Sequence, residues 1–244
     1  MDYFWTHQDF IPEGLGFGQF SLIHIFLLFL SIVFIVLIIV KYKNSDAQSR
    51  ISIRKKIAIS LAVCEIVKMI TMILTKARVT NNLPLEICSF AEYIIILDAL
   101  IKERKVYSSM LLYLFLPAAI MALIFPTTSI LPLFNFYTIH QYIFHALIIA
   151  YALMRFISKE TQLDYKNVWK SILIISIIAM FVYIIDYVFN RNFMFLMDTY
   201  DNFMLNIIWN IAGGGIMYDL GLVVFSIIVI HMFYLLFKLF YRFI

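Results

Sequence analysis

The stretch FSLIHIFLLFLSIVFIVLIIVK, residues 20–41, decides the fold. It carries no formal charge before Lys41. As a helix it has the length needed to cross bilayer hydrocarbon, which takes about 20 apolar residues. Runs of this kind recur along the whole chain. Hydrophobic residues make up 64% of the sequence and charged residues only 14%, with a mean hydropathy of +0.93. A soluble domain holds about 45–50% apolar and about 25% charged residues. The chain therefore reads as an all-α, polytopic transmembrane helical bundle. No stretch outside the apolar runs is long enough for a second domain, so residues 1–244 form a single transmembrane domain. The first residues are acidic and aromatic with no basic n-region, and no cleavable signal peptide is expected.

Seven spans are expected, at about 20–41, 56–76, 84–101, 107–125, 136–156, 168–189 and 217–240. The segment 190–216 is half apolar, carries Asp198 and Asp201, and contains Gly213-Gly214-Gly215. It is expected to be interfacial or re-entrant rather than an eighth crossing. Basic residues concentrate in four groups. The 41–56 connection holds Lys41, Lys43, Arg50, Arg54, Lys55 and Lys56, and the 102–105 turn holds Lys102, Arg104 and Lys105. The 155–170 connection holds Arg155, Lys159, Lys166 and Lys170, and the C-terminus holds Lys238 and Arg242. Together these are 15 of the 19 Lys and Arg residues. Seven spans with the N-terminus outside place all four groups in the cytoplasm, as the positive-inside rule requires, with a cytoplasmic C-terminus. The expected location is a cell membrane, crossed several times. The net charge of +4 is a topology signal. No basic stripe with interleaved aromatics supports nucleic-acid binding.

Two cysteines, Cys64 and Cys88, do not suggest a disulfide framework. Metal-ligand spacing is absent, and so are a glycine-rich phosphate loop and a nucleophile elbow. No metal or cofactor is expected. No internal repeat is visible, which weakens an inverted-repeat transporter reading.

Ionisable groups inside a span cost roughly 2.5–3.5 kcal/mol each at the bilayer centre and need a reason. Glu65 and Lys68, three apart on span two, are expected to pair with each other. Span three is the most polar, with Glu86, Cys88, Ser89, Glu92 and Asp98. Cys88 and Glu92 share a face, and Asp98 is expected to meet basic residues at the cytoplasmic end. Pro84 suits the first turn of a helix, which puts Cys88 near the positive end of the macrodipole and favours a thiolate. The bland alternative for this residue is a small buried hydrophobe. Span five carries His140, Gln141 and His145, with Gln141 and His145 on one face. At 1.5 Å per residue His145 lies roughly 13 Å, and Cys88 roughly 6 Å, below the outer surface. His24 starts span one on the same side, and Arg191 and Asn192 follow span six there. Arg191 can hold a phosphate or serve as a headgroup anchor. His231 falls in the inner half of span seven, outside this group.

The order of short motifs resembles a family. Phe20-Ser21-x-x-His24 is followed by Leu83-Pro84-Leu85-x-x-Cys88 and Ala122-Leu123-x-x-Pro126. Phe144-His145 and Asn192-Phe193-Met194-Phe195-Leu196 complete the series. Over about residues 15–235 the chain looks like the YwaF-type bacterial integral membrane proteins. Their animal relatives are the transmembrane-protein-164 acyltransferases, which remodel ether phospholipids. Two positions depart from the family pattern. Glu86 stands where a histidine is common, and Gly213–Asp219 replaces a Gly-Pro-Trp-type segment. The resemblance implies acyl transfer inside the membrane, with Cys88 as nucleophile forming an acyl-thioester and His145 as general base. A phospholipid or lysophospholipid would be the substrate, in the outer leaflet, with His24, Glu92, Gln141, Arg191 and Asn192 around it. An acyl chain is then expected in a lateral groove beside span three. The alternative is a transporter or binding protein for a small lipophilic or cationic solute, with Glu65, Lys68, Glu92 and Asp186 as its pathway.

Overall fold

The computed structural model describes residues 3–77, 79, 82–101, 105–199 and 202–243. Lys102, Arg104 and Asp201, named above, lie outside the described residues. Helix α1 runs Leu22–Lys43, α2 Ala47–Leu74, α3 Ile87–Ile96, α4 Lys105–Met110 and α5 Leu116–Ile124. Then follow α6 Phe136–Ile157, α7 Tyr165–Phe189, α8 Phe203–Ala212 and α9 Gly215–Phe240. Two π-helical turns interrupt the series, Leu97–Ile101 after α3 and Leu111–Phe115 between α4 and α5. The described residues contain no strand.

Helix starts follow side-chain caps. Ser21 accepts the His24 N–H at 3.2 Å, Asp46 the Ser49 N–H at 2.7 Å, and Asn135 the Tyr137 N–H at 2.9 Å. Each satisfies one of the donors that a helix N-terminus leaves open. The Asp46 cap starts α2 nine residues before the expected span, because Ala47–Lys55 is a good helix-forming run despite its polarity. α7 stops at Asn190 and α8 at Gly213, both in the left-handed conformation that closes helices.

Among the described residues six helical stretches are long and apolar enough to cross a membrane: 22–43, 47–74, 105–130, 136–157, 165–189 and 215–240. The expected third span is shorter. α3 and its π turn cover 87–101, about 22 Å at 1.5 Å per residue. The bent, non-helical 83–86 segment takes up the rest of the expected 84–101. Contacts nevertheless run α3 from one end of the bundle to the other. Its start meets the turn after α7, where Glu86 accepts the Met194 N–H at 2.9 Å. Its far end meets the end of α6, where Asp98 pairs with Arg155. The two described chain ends lie at opposite ends of the bundle. Asn135 at the start of α6 donates to Tyr3 O and Thr6 O, whereas Phe156 near the end of α6 packs on Phe237 and Tyr241.

α6 is the hub. It packs against α1, α2, α3, α5 and the 111–115 turn, and its residues 144–152 are buried on every side. By contrast α1, α7 and α9 expose Leu22, Phe29, Leu37, Phe181, Tyr187, Ile216 and Leu235. Large exposed side chains all along a helix are what a lipid-facing surface requires. In 190–215 a 3-10 turn, Phe193–Phe195, precedes α8, which folds back on α9. At ten residues α8 spans about 15 Å, half the hydrocarbon thickness. A Cβ on Gly221 would sit 2.9 Å from Ile208 Cγ2, so the Ile208 side chain packs directly on the α9 backbone there.

The N-terminal segment is stitched under the start of α6 and along the 127–131 turn. Gly18 N–H donates to Ser129 O at 3.0 Å. At Gly16 an added Cβ would lie 2.5 Å from Ser129 O and 2.6 Å from the Ile130 backbone. Backbone on the far side cannot rotate away, so Gly16→Ala is expected to lower stability by about 1–3 kcal/mol. A thermal-unfolding measurement in detergent that found no loss would contradict this packing.

Candidate functional site

Where α2, α3 and α6 meet, the bundle buries a group of ionisable side chains. From α2, Lys68 Nζ lies 2.6 Å from Glu65 Oε1. The internal ion pair expected from their spacing is present. From α6, His140 stacks on Phe144 and brings its Nε2 to 4.0 Å from Glu65 Oε2. From α3, Glu92 is 2% exposed, and its Oε2 has no hydrogen-bond partner among the described residues. Lys68 is the shared counter-charge. Its field reaches Glu86, Glu92, His140 and His145. A cation set among two glutamates offsets part of the cost of holding them out of water.

His145 is buried one turn deeper than Gln141. Its Nδ1 lies 2.7 Å from the Gln141 backbone oxygen. A carbonyl only accepts, so Nδ1 carries the proton, and Nε2 keeps its lone pair. The imidazole is fixed in the tautomer that a general base needs.

Cys88 is the second residue of α3, half-buried, with a free thiol. The chain reaches it through a bent segment, with the Leu85 N–H on Leu83 O at 2.7 Å, closed by Tyr93, whose hydroxyl donates to Pro84 O at 2.9 Å. Glu86 occupies the N-cap position of α3 without a side-chain capping bond. Its carboxylate accepts the Met194 N–H, and Asp186 accepts the Phe193 N–H at 3.0 Å. Met194 and Phe195 both have φ near +60°, a conformation costly for non-glycine residues. The two carboxylates, with the Tyr218 hydroxyl on Phe195 O at 3.0 Å, hold that turn beside the start of α3. Asp186 thus sits in the last turn of α7 as a backbone anchor, not at mid-membrane. His145 is tied to the Gln141 backbone oxygen, and α3 and α6, the helices that carry Cys88 and His145, pack together.

The other expected substrate-binding residues are engaged with backbone. His24 accepts the Phe20 N–H at Nδ1, 2.9 Å, and donates from Nε2 to Leu123 O, 3.0 Å. It joins the start of α1 to the end of α5. The Gln141 amide donates to Ala122 O at 3.1 Å. Asn192 accepts from Met197 N and Asp198 N and donates to Asp198 O, which knots the turn after Phe193–Phe195. Arg191 lies at the end of α7, its Nη1 3.4 Å from Asn190 O. His231 accepts from Tyr165 and donates to Ile227 O, well away from this group, as expected.

Asp98 meets a basic residue at the basic end of the bundle, but one on α6 rather than in a loop. Asp98 Oδ2 accepts from both Arg155 and the Tyr151 hydroxyl, the latter at 2.7 Å. Glu160 continues the network to Tyr42 at 2.6 Å and Arg50 at 3.3 Å. The spacing of Tyr151 and Arg155, four apart on one helix face, was the available signal for this pairing.

A cleft of about 340 Å³ opens between α1 and α6, lined by Phe26, Leu30, Phe34, Phe134, Tyr142 and Ile143 among others. It is apolar and lies on the α1 side of α6, not beside α3 where a lateral groove was expected. Among the described residues no group of three or more His, Cys, Asp or Glu could hold a metal ion.

Among known proteins, a family model described as the TMEM164 family matches residues 17–237. No curated protein and no solved structure matches the chain.

Proposed function

The chain belongs to the TMEM164 family, and from that premise we propose that it is a membrane-embedded acyltransferase acting on phospholipid or lysophospholipid. Cys88 is the nucleophile and His145 the base. The observation that supports this reading is the His145 tautomer, with Nδ1–H committed to Gln141 O and Nε2 left basic inside the bundle. His145 Nε2 takes the thiol proton as sulfur attacks the ester carbonyl carbon. The tetrahedral intermediate collapses by breaking the ester C–O bond, and the leaving lysolipid oxygen receives that proton. The acyl group rests on Cys88 as a thioester. A lysolipid hydroxyl then loses its proton to Nε2 and attacks the thioester carbonyl, and the thiolate leaves and is reprotonated. Of the substrate-contact candidates, Glu92 fits best, since its Oε2 has no hydrogen-bond partner among the described residues, whereas His24, Gln141, Arg191 and Asn192 already serve backbone groups. The outer leaflet of the plasma membrane is the proposed working side.

The test is covalent trapping. The full-length protein, incubated with alkyne-labelled phospholipid, is expected to carry label that neutral hydroxylamine removes, and Cys88→Ala is expected to carry none. Label that survives hydroxylamine, or persists in Cys88→Ala, excludes the thioester.

A second reading draws on the surplus of buried carboxylate around Lys68, which suits transport or binding of a small cationic solute. It predicts that Glu92→Gln abolishes solute binding while Cys88→Ala leaves it intact. The acyltransferase reading predicts no bound cation in either protein.

A further inference from the structure

A second cleft, about 330 Å³, lies at the opposite end of the molecule, in the angle between the end of α1 and the start of α2. Its lining is Ile38, Lys41, Ser45, Ser49, Ser52, Ile53, Lys56 and Ile57, two lysines and three serines over an isoleucine floor. Ser49, Ser52, Ile53 and Lys56 are spaced by three and four, so α2 turns one face toward it. The level is that of lipid headgroups. Lys41 is in the last turn of α1, and Ala47–Lys55 is the polar prolongation of α2 below its apolar run. The basic-residue count reads this end as cytoplasmic.

Charge fixes the kind of occupant. Lys41 and Lys56 are exposed, and neither pairs with a carboxylate among the described residues. The carboxylate of Asp46 adjoins the cleft, but it is turned to the Ser49 N–H, which holds it below the usual carboxylate range. Lys43 and Lys55 add to the positive field nearby. Ser45 and Ser49 already donate their hydroxyl protons, to Lys41 O at 2.7 Å and Asp46 Oδ2 at 3.2 Å. The Ser52 hydroxyl is the third on the wall. The floor is apolar and continues toward the hydrocarbon through Ile38 and Ile57. A positive rim carrying the Ser52 hydroxyl, over an apolar floor, suits a phosphodiester with acyl chains below it. Basic pockets between transmembrane helices on the cytoplasmic side bind anionic lipid heads in this manner.

The walls are also preorganised. Arg50 Nε donates to Tyr42 O and Ser45 O, each at 3.1 Å, and Nη2 donates to Lys43 O at 2.8 Å. Its guanidinium lies 5.4 Å from the Tyr42 ring centre and reaches Glu160. The α1–α2 turn is thereby braced from behind, so a ligand need not order it on binding.

We propose that the Lys41–Lys56 cleft is a binding site for the headgroup of one anionic phospholipid in the leaflet at the basic end of the protein. This site is independent of the acyl-transfer chemistry proposed for Cys88. The experiment uses the full-length protein in mild detergent with phosphatidylglycerol added, bound lipid being counted by native mass spectrometry. Wild type is expected to retain one phosphatidylglycerol in preference to phosphatidylcholine. Lys41→Gln/Lys56→Gln is expected to bind it roughly 30-fold more weakly, about 5-fold for each lysine multiplied together. Lys166→Gln/Lys170→Gln removes the same charge elsewhere at this end and is expected to bind as wild type does. Both lysine pairs are exposed, so lipid-free thermal midpoints report that each variant is folded. Equal loss in the two double variants means bulk surface charge and overturns the proposal. Competition by inorganic phosphate alone at matched concentration identifies a free-anion site and also overturns it.

Discussion

Asp98→Leu is expected to lower the stability of the protein by about 3–5 kcal/mol, because it removes one partner of a buried ion pair and leaves the other behind. Asp98 and Arg155 are 3% and 2% exposed. Without the carboxylate, the Arg155 guanidinium keeps its Glu160 contact but loses its closest counter-charge, and the Tyr151 hydroxyl loses its acceptor. The penalty is desolvation, not lost attraction, and that distinction can be measured. Asp98→Leu/Arg155→Leu removes both charges, and most of the loss should return. Thermal midpoints of the three proteins in one detergent test this. A double variant as unstable as Asp98→Leu would mean that the network works through Glu160 and Tyr42 instead.

His145→Gln is expected to slow acyl transfer by roughly 10²–10⁴-fold, the range a positioned general base contributes. Glutamine fills much of the imidazole volume but has no basic lone pair at neutral pH, so lipid binding should persist while turnover falls. The adjacent position supplies a discriminating control. It is the backbone oxygen of Gln141, not its side chain, that sets the His145 tautomer. Gln141→Ala should therefore leave the imidazole in place, with a far smaller effect on rate. Measured in the same vesicles, equal losses in the two variants would point to damage of the α5–α6 contact that the Gln141 amide makes with Ala122. That outcome would remove His145 from the chemistry.

Much of this architecture was legible from hydropathy alone, because a lipid-facing helix must be apolar along its length. The 136–156 run became Phe136–Ile157, and the Glu65–Lys68 spacing became a 2.6 Å contact. Misjudged were places where backbone polarity is satisfied locally. Glu86 looked like part of a membrane helix, yet it occupies the N-cap position of one and binds the Met194 N–H across 108 residues of sequence. The two π turns leave no periodic trace in so uniformly apolar a sequence. His24, Gln141 and Asn192 looked like ligand contacts because polar side chains in a membrane must bond to something. Here that something is backbone left open where helices begin and end, which no single-sequence pattern assigns. Arg155 was counted among loop charges because it stands one residue from a span edge, and only its burial distinguishes it from Lys159.

The burial of α6 has a consequence for how the protein is made. Of the six long helices, α1 is the most apolar and α6 the least, with His140, His145 and Arg155 along it. A nascent segment of that composition partitions poorly into lipid when it leaves the ribosome alone. Its polar groups find partners on α2, the π turn after α3 and the α5 end, all synthesised earlier, and Glu160 adds a later one to Arg155. Insertion of α6 is thus expected to be a cooperative step that waits for four preceding segments, so truncation after residue 157 should leave it membrane-bound only when those segments are present.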